Sequence, residues 1–187
     1  MAEDIFRRVV GALEQAEIPY MLTGSFASSY HGAPRATQDI DVVISATPQQ
    51  LRRLVALFPR EDYYVDEDAA LEAHRTQGQF NIIDLSTGWK VDLIIQKSRP
   101  FSREEFQRRS VGEIGGIQLA IATAEDVLIA KLEWAKLGES HRQIEDAATI
   151  LRIRSSDLDQ QYVVNWVRQL GLDEQWRQAC RIAGLPS

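Results

Sequence analysis

The chain has 187 residues and a formal net charge of −6, and its apolar fraction of 44% is large enough for a buried core at about the size of one domain. The acidic balance argues against a large nonspecific nucleic-acid surface, and the single cysteine, Cys180, excludes an internal disulfide. No apolar run approaches the roughly 20 residues that span a bilayer, and the first residues lack the features of a signal peptide. We therefore expect a cytoplasmic protein without a membrane segment.

Helices and strands are predicted to alternate along the first hundred residues. Ile5, Val9 and Leu13 recur at every fourth position, which predicts an amphipathic helix over about residues 3–16. Thr47 followed by Pro48 is typical of a helix start, with an N-cap and a proline at the first helical position. The further predictions are strands over 20–23, 39–44, 79–84 and 89–96, and helices over 25–31, 48–58 and 67–75.

The sequence pattern changes from strands to helices at Thr123. Residues 111–122 are typical of a β-hairpin that turns at Gly115-Gly116, and from Thr123 onward the pattern is helical. We therefore predict an α/β core over 1–122, with a mixed β-sheet flanked by helices. A helical C-terminal region over 123–187 is predicted to pack on this core, since no polar linker separates the two.

Two aspartates in the second predicted strand are candidate metal ligands. Side chains alternate along a strand, so Asp39 and Asp41 share one face while Ile40 points to the other. Neighbouring carboxylates repel each other, and a hard divalent cation, Mg²⁺ or Mn²⁺, is the usual remedy. The alternative is an edge strand with a solvated polar face, but the apolar run 42–44 favours a buried strand.

A glycine-serine turn before the short second helix is a candidate phosphate site. Backbone N–H groups at a helix N-terminus bind anions, Gly24 allows close approach, and the Ser25 hydroxyl adds a hydrogen bond. Arg35 and Thr37 lie just before the aspartate pair, where Arg35 would contact a phosphate or an acceptor substrate. The alternative for Arg35 is a loop side chain in solvent.

A third carboxylate is predicted on a later strand, and two residues compete for the role. Asp84 lies near a Ser-Thr-Gly turn, where aspartate commonly accepts local backbone hydrogen bonds. Asp92 lies inside the apolar stretch 91–95, where an ionised carboxylate needs a partner because unpaired burial is costly. We therefore prefer Asp92 to Asp84.

A hydrophobic-Gly-Ser turn, a spacer and then Asp-hydrophobic-Asp resemble the signature of the DNA polymerase beta-type nucleotidyltransferase superfamily. The resemblance implies a nucleotidyltransferase-like α/β core in which Gly24 and Ser25 cradle a triphosphate. It also implies that Asp39 and Asp41 hold two metal ions together with a third carboxylate from a later strand, which supports Asp92.

Lys131 lies on the predicted buried stripe of the first C-terminal helix, which begins with a capping-box-like Thr123–Asp126 pair. A buried ammonium needs an anion, so Lys131 is expected either to reach solvent or to pair with Glu125 or Asp126. The segment from Glu125 to Lys131 also resembles small bacterial nucleotidyltransferases, including abortive-infection toxins. That resemblance implies a second role for Lys131, binding the nucleotide phosphates.

Arg142 and Asp146 lie four residues apart on a predicted helix, and this spacing is typical of an intrahelical ion pair. In the toxin group an aspartate and a basic residue on these helices also matter. The spacing here departs from that pattern, so no functional role is assigned to Arg142 or Asp146.

The preferred function is Mg²⁺-dependent transfer of a nucleoside monophosphate from an NTP, such as ATP, to an acceptor hydroxyl, with release of pyrophosphate. The resemblance leaves open an RNA end such as that of tRNA, a protein or a small molecule as acceptor, and a toxin role would imply an antitoxin partner. The main alternative is a nucleotide- or metal-binding interaction module that performs no transfer, against which the three intact aspartates count. A metal-dependent phosphohydrolase has less support, because the three histidines form no ligand pattern.

Overall fold

A computed structural model describes residues 2–34 and 39–186, and these residues divide into two compact units. The first unit comprises residues 2–23 and 39–121, and the second comprises 24–34 and 122–186. The short helix after the first strand therefore belongs to the same unit as the C-terminal helices. The division into domains at residue 122 stays a prediction.

The first unit is built on a mixed sheet. The described residues form seven strands in the order β3-β4-β5-β2-β1-β7-β6. The β2–β5 and β1–β7 pairs are parallel, and the other neighbours are antiparallel. The strands are β1 Tyr20–Thr23, β2 Asp39–Ile44, β3 Tyr63–Tyr64, β4 Gln79–Asp84, β5 Lys90–Ile95, β6 Ser110–Ile114 and β7 Ile117–Ile121. The predicted α/β class with a mixed sheet is confirmed.

Nine helices lie within the described residues, and they fall into the two units by position along the chain. The first unit contains α1, α3, α4 and α5, and the second contains α2 and α6 to α9. The helices are α1 Ala2–Gln15, α2 Gly24–His31, α3 Pro48–Ala56, α4 Glu67–Thr76, α5 Pro100–Arg108, α6 Ala124–Gly138, α7 His141–Arg154, α8 Gln160–Leu170 and α9 Asp173–Ala183.

Helix α1 packs on the apolar face of the sheet. Val9 and Leu13 are almost fully buried, and they line one small cavity together with Leu22 of β1 and Ile40 and Val42 of β2. The every-fourth spacing that predicted α1 is therefore the spacing of its buried stripe. Since Ile40 and Val42 point toward α1, the alternate residues of β2 point to the opposite face of the sheet.

The structure adds two elements that the sequence did not predict. Helix α5 begins at Pro100 after Arg99, which makes no side-chain cap, and the polar Glu105 is buried beside Phe101 and Phe106. This mixture of buried residues hides the helical period. Strand β3 has only two residues, too few for an alternating pattern, and it exists because it pairs with the end of β4.

The second unit is entirely helical. Helix α6 contacts α2, α7, α8 and α9, and its buried residues Leu128, Ile129 and Leu132 lie at its centre. The N-cap Thr123 accepts a hydrogen bond from the backbone of Asp126, as the capping-box pattern predicted. No helix in the described part of the chain is both long and apolar enough to cross a membrane.

Truncating a leucine in the interior strand β5 tests this arrangement. Leu93 is fully buried, so Leu93→Ala should lower the free energy of unfolding by about 2–5 kcal/mol, because it removes buried methyl groups and leaves a cavity. The measurement is urea unfolding followed by circular dichroism. Leu85→Ala is the matched control, since Leu85 is 56% exposed and its loss should change stability by about 0.5 kcal/mol or less. Equal effects of the two substitutions would contradict the assigned core.

Candidate functional site

The two aspartates of β2 lie on the face of the sheet opposite to α1. Ile40 and Val42 are buried against the core, while Asp41 is half-buried and Asp39 is exposed. This alternation is the one predicted from the sequence, and it brings the two carboxylates to one face.

Asp92 lies directly opposite Asp41. Strands β2 and β5 are parallel neighbours, and their register pairs Asp41 with Asp92. Register partners on adjacent strands point to the same face, so Asp92 joins the two aspartates of β2. Asp92 is only 7% exposed although it is ionisable, which makes it the most buried carboxylate of this face.

Asp84 lies on the other face of the sheet and has a different role. It is two residues beyond Ile82, whose side chain is buried in the core, and its Oδ1 accepts hydrogen bonds from the backbone and hydroxyl of Ser86 and from the backbone of Thr87. The Ser86 hydroxyl in particular lowers the pKa of Asp84. Asp84 therefore closes the β4–β5 turn, as its position in the sequence suggested.

Polar side chains continue across the sheet on either side of the aspartates. Thr23 of β1 is the register partner of Asp41, and Asn81 of β4 is the register partner of Asp92. Four adjacent strands thus carry the row Thr23, Asp41, Asp92 and Asn81 on one face. Sequence reasoning missed Thr23 and Asn81, because their neighbours across the sheet come from distant parts of the chain.

Lys90 is a further member that the sequence analysis missed. Its Nζ lies 3.0 Å from Oδ2 of Asp92 and 3.4 Å from Oδ1 of Asp39. The hydrogen bond to Asp92 is the largest influence that raises the pKa of Lys90, so the ammonium stays charged. Its position two residues before Asp92 was the available signal, since i and i+2 in a strand share a face.

The oxygen ligands on this face suit a hard divalent cation such as Mg²⁺. The buried Oδ1 of Asp92 accepts no hydrogen bond from any described residue, and such an uncompensated buried oxygen is costly. Among the described residues, however, no three acidic, histidine or cysteine side chains lie close enough together to hold a metal ion. The ligand chemistry fits a cation, and two of the three carboxylates, Asp92 and Asp39, contact the Lys90 ammonium instead.

The predicted phosphate turn lies in the second unit. Gly24 is the first residue of α2 and has a φ of 63°, in the left-handed region that glycine adopts without strain. Ser25 follows it in the first turn of this helix. Arg35 and Thr37 lie outside the described residues, and their predicted contacts with nucleotide stay predictions.

Lys131 is buried in the second unit and forms an ion pair with the next helix. Its Nζ donates to Oδ2 of Asp146 at 2.9 Å, and the lysine is 4% exposed. The predicted burial of Lys131 is confirmed, but the expected partners were wrong. Asp126 instead accepts from the hydroxyls of Thr123 and Tyr162, and the ammonium pairs across α6 and α7 because Asp146 faces it.

Comparison with known proteins identifies the fold. No protein-family model and no curated protein matches the chain. The antibiotic-resistance factor ANT(2'')-Ia superposes with a TM-score of 0.51 at 12% identity, covering 97% of this chain and 88% of the other. An antigenic nucleotidyltransferase-like protein from Paracoccidioides brasiliensis superposes with a TM-score of 0.51 at 16% identity, covering 91% and 90%. The chain therefore has the nucleotidyltransferase fold that its Gly-Ser and Asp-x-Asp motifs predicted.

Proposed function

We propose that the protein transfers a nucleoside monophosphate from an NTP to an acceptor hydroxyl. The observation that carries this proposal is the register between β2 and β5, which places Asp92 opposite Asp41 on the face that also holds Asp39. A catalytic carboxylate set of this type needs groups from separate strands to meet on one face. The nucleotidyltransferase fold of the chain supports the same conclusion.

Asp39, Asp41 and Asp92 are the proposed metal ligands, with Mg²⁺ as the expected ion and Mn²⁺ as its substitute. When bound, the metal supplies charge neutralisation for the triphosphate and for the attacking and leaving oxygens. The buried and unpaired Oδ1 of Asp92 supports this assignment, because an ionised oxygen in that position gains most from a bound cation.

Gly24, Ser25, Arg35, Thr37 and Lys131 are the proposed nucleotide-binding residues. The positive φ of Gly24 supports a tight turn whose backbone N–H groups donate to phosphate oxygens, and the Ser25 hydroxyl adds a further donor. For Lys131, we propose that Asp146 holds the ammonium in position for a phosphate oxygen. The 2.9 Å contact between them supports a fixed rather than a mobile cation.

In the proposed reaction the acceptor oxygen attacks the α-phosphorus of the NTP. A new bond forms between the acceptor oxygen and the α-phosphorus, and the bond from the α-phosphorus to the oxygen that bridges to the β-phosphorus breaks. Pyrophosphate leaves with that oxygen. Asp92 accepts the proton of the acceptor hydroxyl in this proposal, because its register with Asp41 places its carboxylate on the face where the reaction would occur.

Labelled nucleotide tests the proposed transfer directly. Incubated with each α-labelled NTP, Mg²⁺ and a lysate of its own host, the protein should move label onto one class of acceptor. Digestion with nuclease or protease, or separation of small molecules, then identifies RNA such as tRNA, a protein or a metabolite as the acceptor. Asp41→Asn should abolish the transfer, because it removes one charged metal ligand without a change in size.

Two results would contradict this proposal in different ways. Label that appears only with γ-labelled ATP would indicate kinase-like transfer. NTP and Mg²⁺ binding without label on any acceptor would favour an interaction module that performs no transfer. A role as a toxin would in addition require an antitoxin that blocks the transfer.

A matched pair of substitutions tests the choice of the third carboxylate. Asp92→Asn should lower the rate of label transfer by at least about 100-fold, since it removes both a ligand and the proposed base. Asp84→Asn makes the same change on the other face of the sheet, and it should leave the rate within about threefold of the parent. Full activity of the Asp92 variant would exclude Asp92 from the reaction.

A lysine pair on α6 tests the phosphate role of Lys131. Lys131→Met keeps most of the packing stem and removes the charge, so it should weaken NTP binding by roughly 1.5–3 kcal/mol, the usual worth of a charged hydrogen bond. Lys136→Met is the control, because Lys136 donates to the carbonyls of Leu170 and Gly171. Isothermal titration gives the affinities. Unchanged NTP affinity in Lys131→Met, with lowered stability only, would give the lysine a purely structural role.

A further inference from the structure

Lys90 lies on the carboxylate face beside Asp39 and Asp92. Its ammonium reaches Asp92 on its own strand and Asp39 on β2, at 3.0 and 3.4 Å. It therefore bridges two of the three carboxylates that the proposed function assigns to a divalent cation. The lysine side chain is 34% exposed, so solvent reaches it although Asp92 is buried.

The position of Lys90 follows from the strand geometry. Lys90 lies two residues before Asp92 and is the register partner of Asp39, so both neighbours share its face. The four groups form a rectangle on two parallel strands, with Asp39 and Lys90 in one row and Asp41 and Asp92 in the next. Because the backbone pairing fixes this rectangle, the ammonium can reach Asp92 on its own strand and Asp39 on the neighbouring strand.

The charges of this rectangle explain why the contact forms. Three carboxylates on one face carry a charge of about −3 when ionised, and like charges repel one another. The Lys90 ammonium offsets one of these charges and donates hydrogen bonds to two of the carboxylates. A divalent cation offsets two charges, but it needs the same oxygens and repels the ammonium.

We propose that Lys90 is a built-in counter-ion that holds the carboxylate face in the metal-free protein and that a divalent cation must displace. This inference rests on the proposed function for the identity of the metal ligands. Lys90 then weakens metal binding, and it stabilises the fold whenever no metal is bound. The lysine stem remains attached beside the site, so the displacement is reversible and needs no movement of either strand.

Mn²⁺ binding to the full chain tests this proposal without any measurement of activity. Titration with Mn²⁺, followed by the electron paramagnetic resonance signal of the free ion, gives the dissociation constant. Lys90→Met should bind Mn²⁺ about tenfold more tightly than the parent, because the ammonium no longer competes with the ion for the carboxylate oxygens. One charged hydrogen bond is worth about that factor in affinity. Lys90→Arg keeps the charge and should bind like the parent within about threefold.

A second lysine controls for the change in net charge. Lys97 is exposed and lies two residues beyond the end of β5. Lys97→Met alters the formal charge by the same amount as Lys90→Met, and it should leave the dissociation constant for Mn²⁺ within about twofold of the parent. Tighter binding in both variants would assign the effect to net charge and overturn the specific role of Lys90.

Thermal unfolding provides an independent measurement. Without metal, Lys90→Met should lower the melting temperature by roughly 2–5 °C, because Asp92 and Asp39 lose their contacts with the ammonium. Saturating Mn²⁺ should then raise the melting temperature of Lys90→Met by more than it raises that of the parent. Lys97→Met should show neither effect.

The outcomes separate this inference from the proposed function. Equal Mn²⁺ affinity in the parent and Lys90→Met would overturn the role of Lys90 while leaving the metal site intact. Weaker binding in Lys90→Met would overturn it as well, since Lys90 would then position Asp92 for the metal. Lack of Mn²⁺ binding in the parent and in every variant would overturn the metal site and the inference together.

Discussion

The parallel pairing of β2 with β5 is the constraint on which the candidate site depends. A single register sets Asp41 opposite Asp92 and Ile40 opposite Val91. The Asp41–Asp92 pair lies on the face of the candidate site, and the Ile40–Val91 pair is buried in the core. A slip of one residue would turn the carboxylates toward α1 and the apolar side chains away from it, so burial of the core enforces the geometry of the acidic face.

This arrangement concentrates negative charge on one face of the sheet. The strands cannot move apart to reduce the repulsion between the carboxylates. The backbone hydrogen bonds of the sheet hold the carboxylates on one face, and the same register brings the Lys90 ammonium to two of them, Asp39 and Asp92. Stability and function are thus coupled at one place. The carboxylates that favour a bound cation are the groups that destabilise the sheet when their charge is not offset.

The second unit also contains a charge that is offset by a neighbouring element, and here both charged groups are largely buried. Lys131 and Asp146 lie on neighbouring helices, and each is largely removed from water. Such a pair contributes little net stability compared with apolar residues of the same size, whereas removal of one partner leaves a buried charge. The ion pair therefore restricts which substitutions α6 and α7 tolerate, and it fixes the position of the ammonium.

Local patterns predicted most of the elements and part of the candidate site. The i, i+2 spacing of Asp39 and Asp41 put them on one face, the proline after Thr47 marked the start of α3, and the apolar neighbours of Asp92 favoured it over Asp84. Each of these signals lies within a few residues of chain, where helical and strand periods act directly. Helix α5 and strand β3 were not predicted, because the burial of α5 and the pairing of β3 depend on distant residues.

The sequence by itself therefore determined the alternation of helices and strands, the nucleotidyltransferase fold and the shared face of the Asp39–Asp41 pair. Only the tertiary structure decided that Asp92 lies opposite Asp41, that Lys90 bridges Asp92 and Asp39, and that Lys131 pairs with Asp146. The physical reason is that a strand period specifies which face a side chain occupies but not which strand becomes its neighbour. Which strands or helices become neighbours depends on the burial of the whole core.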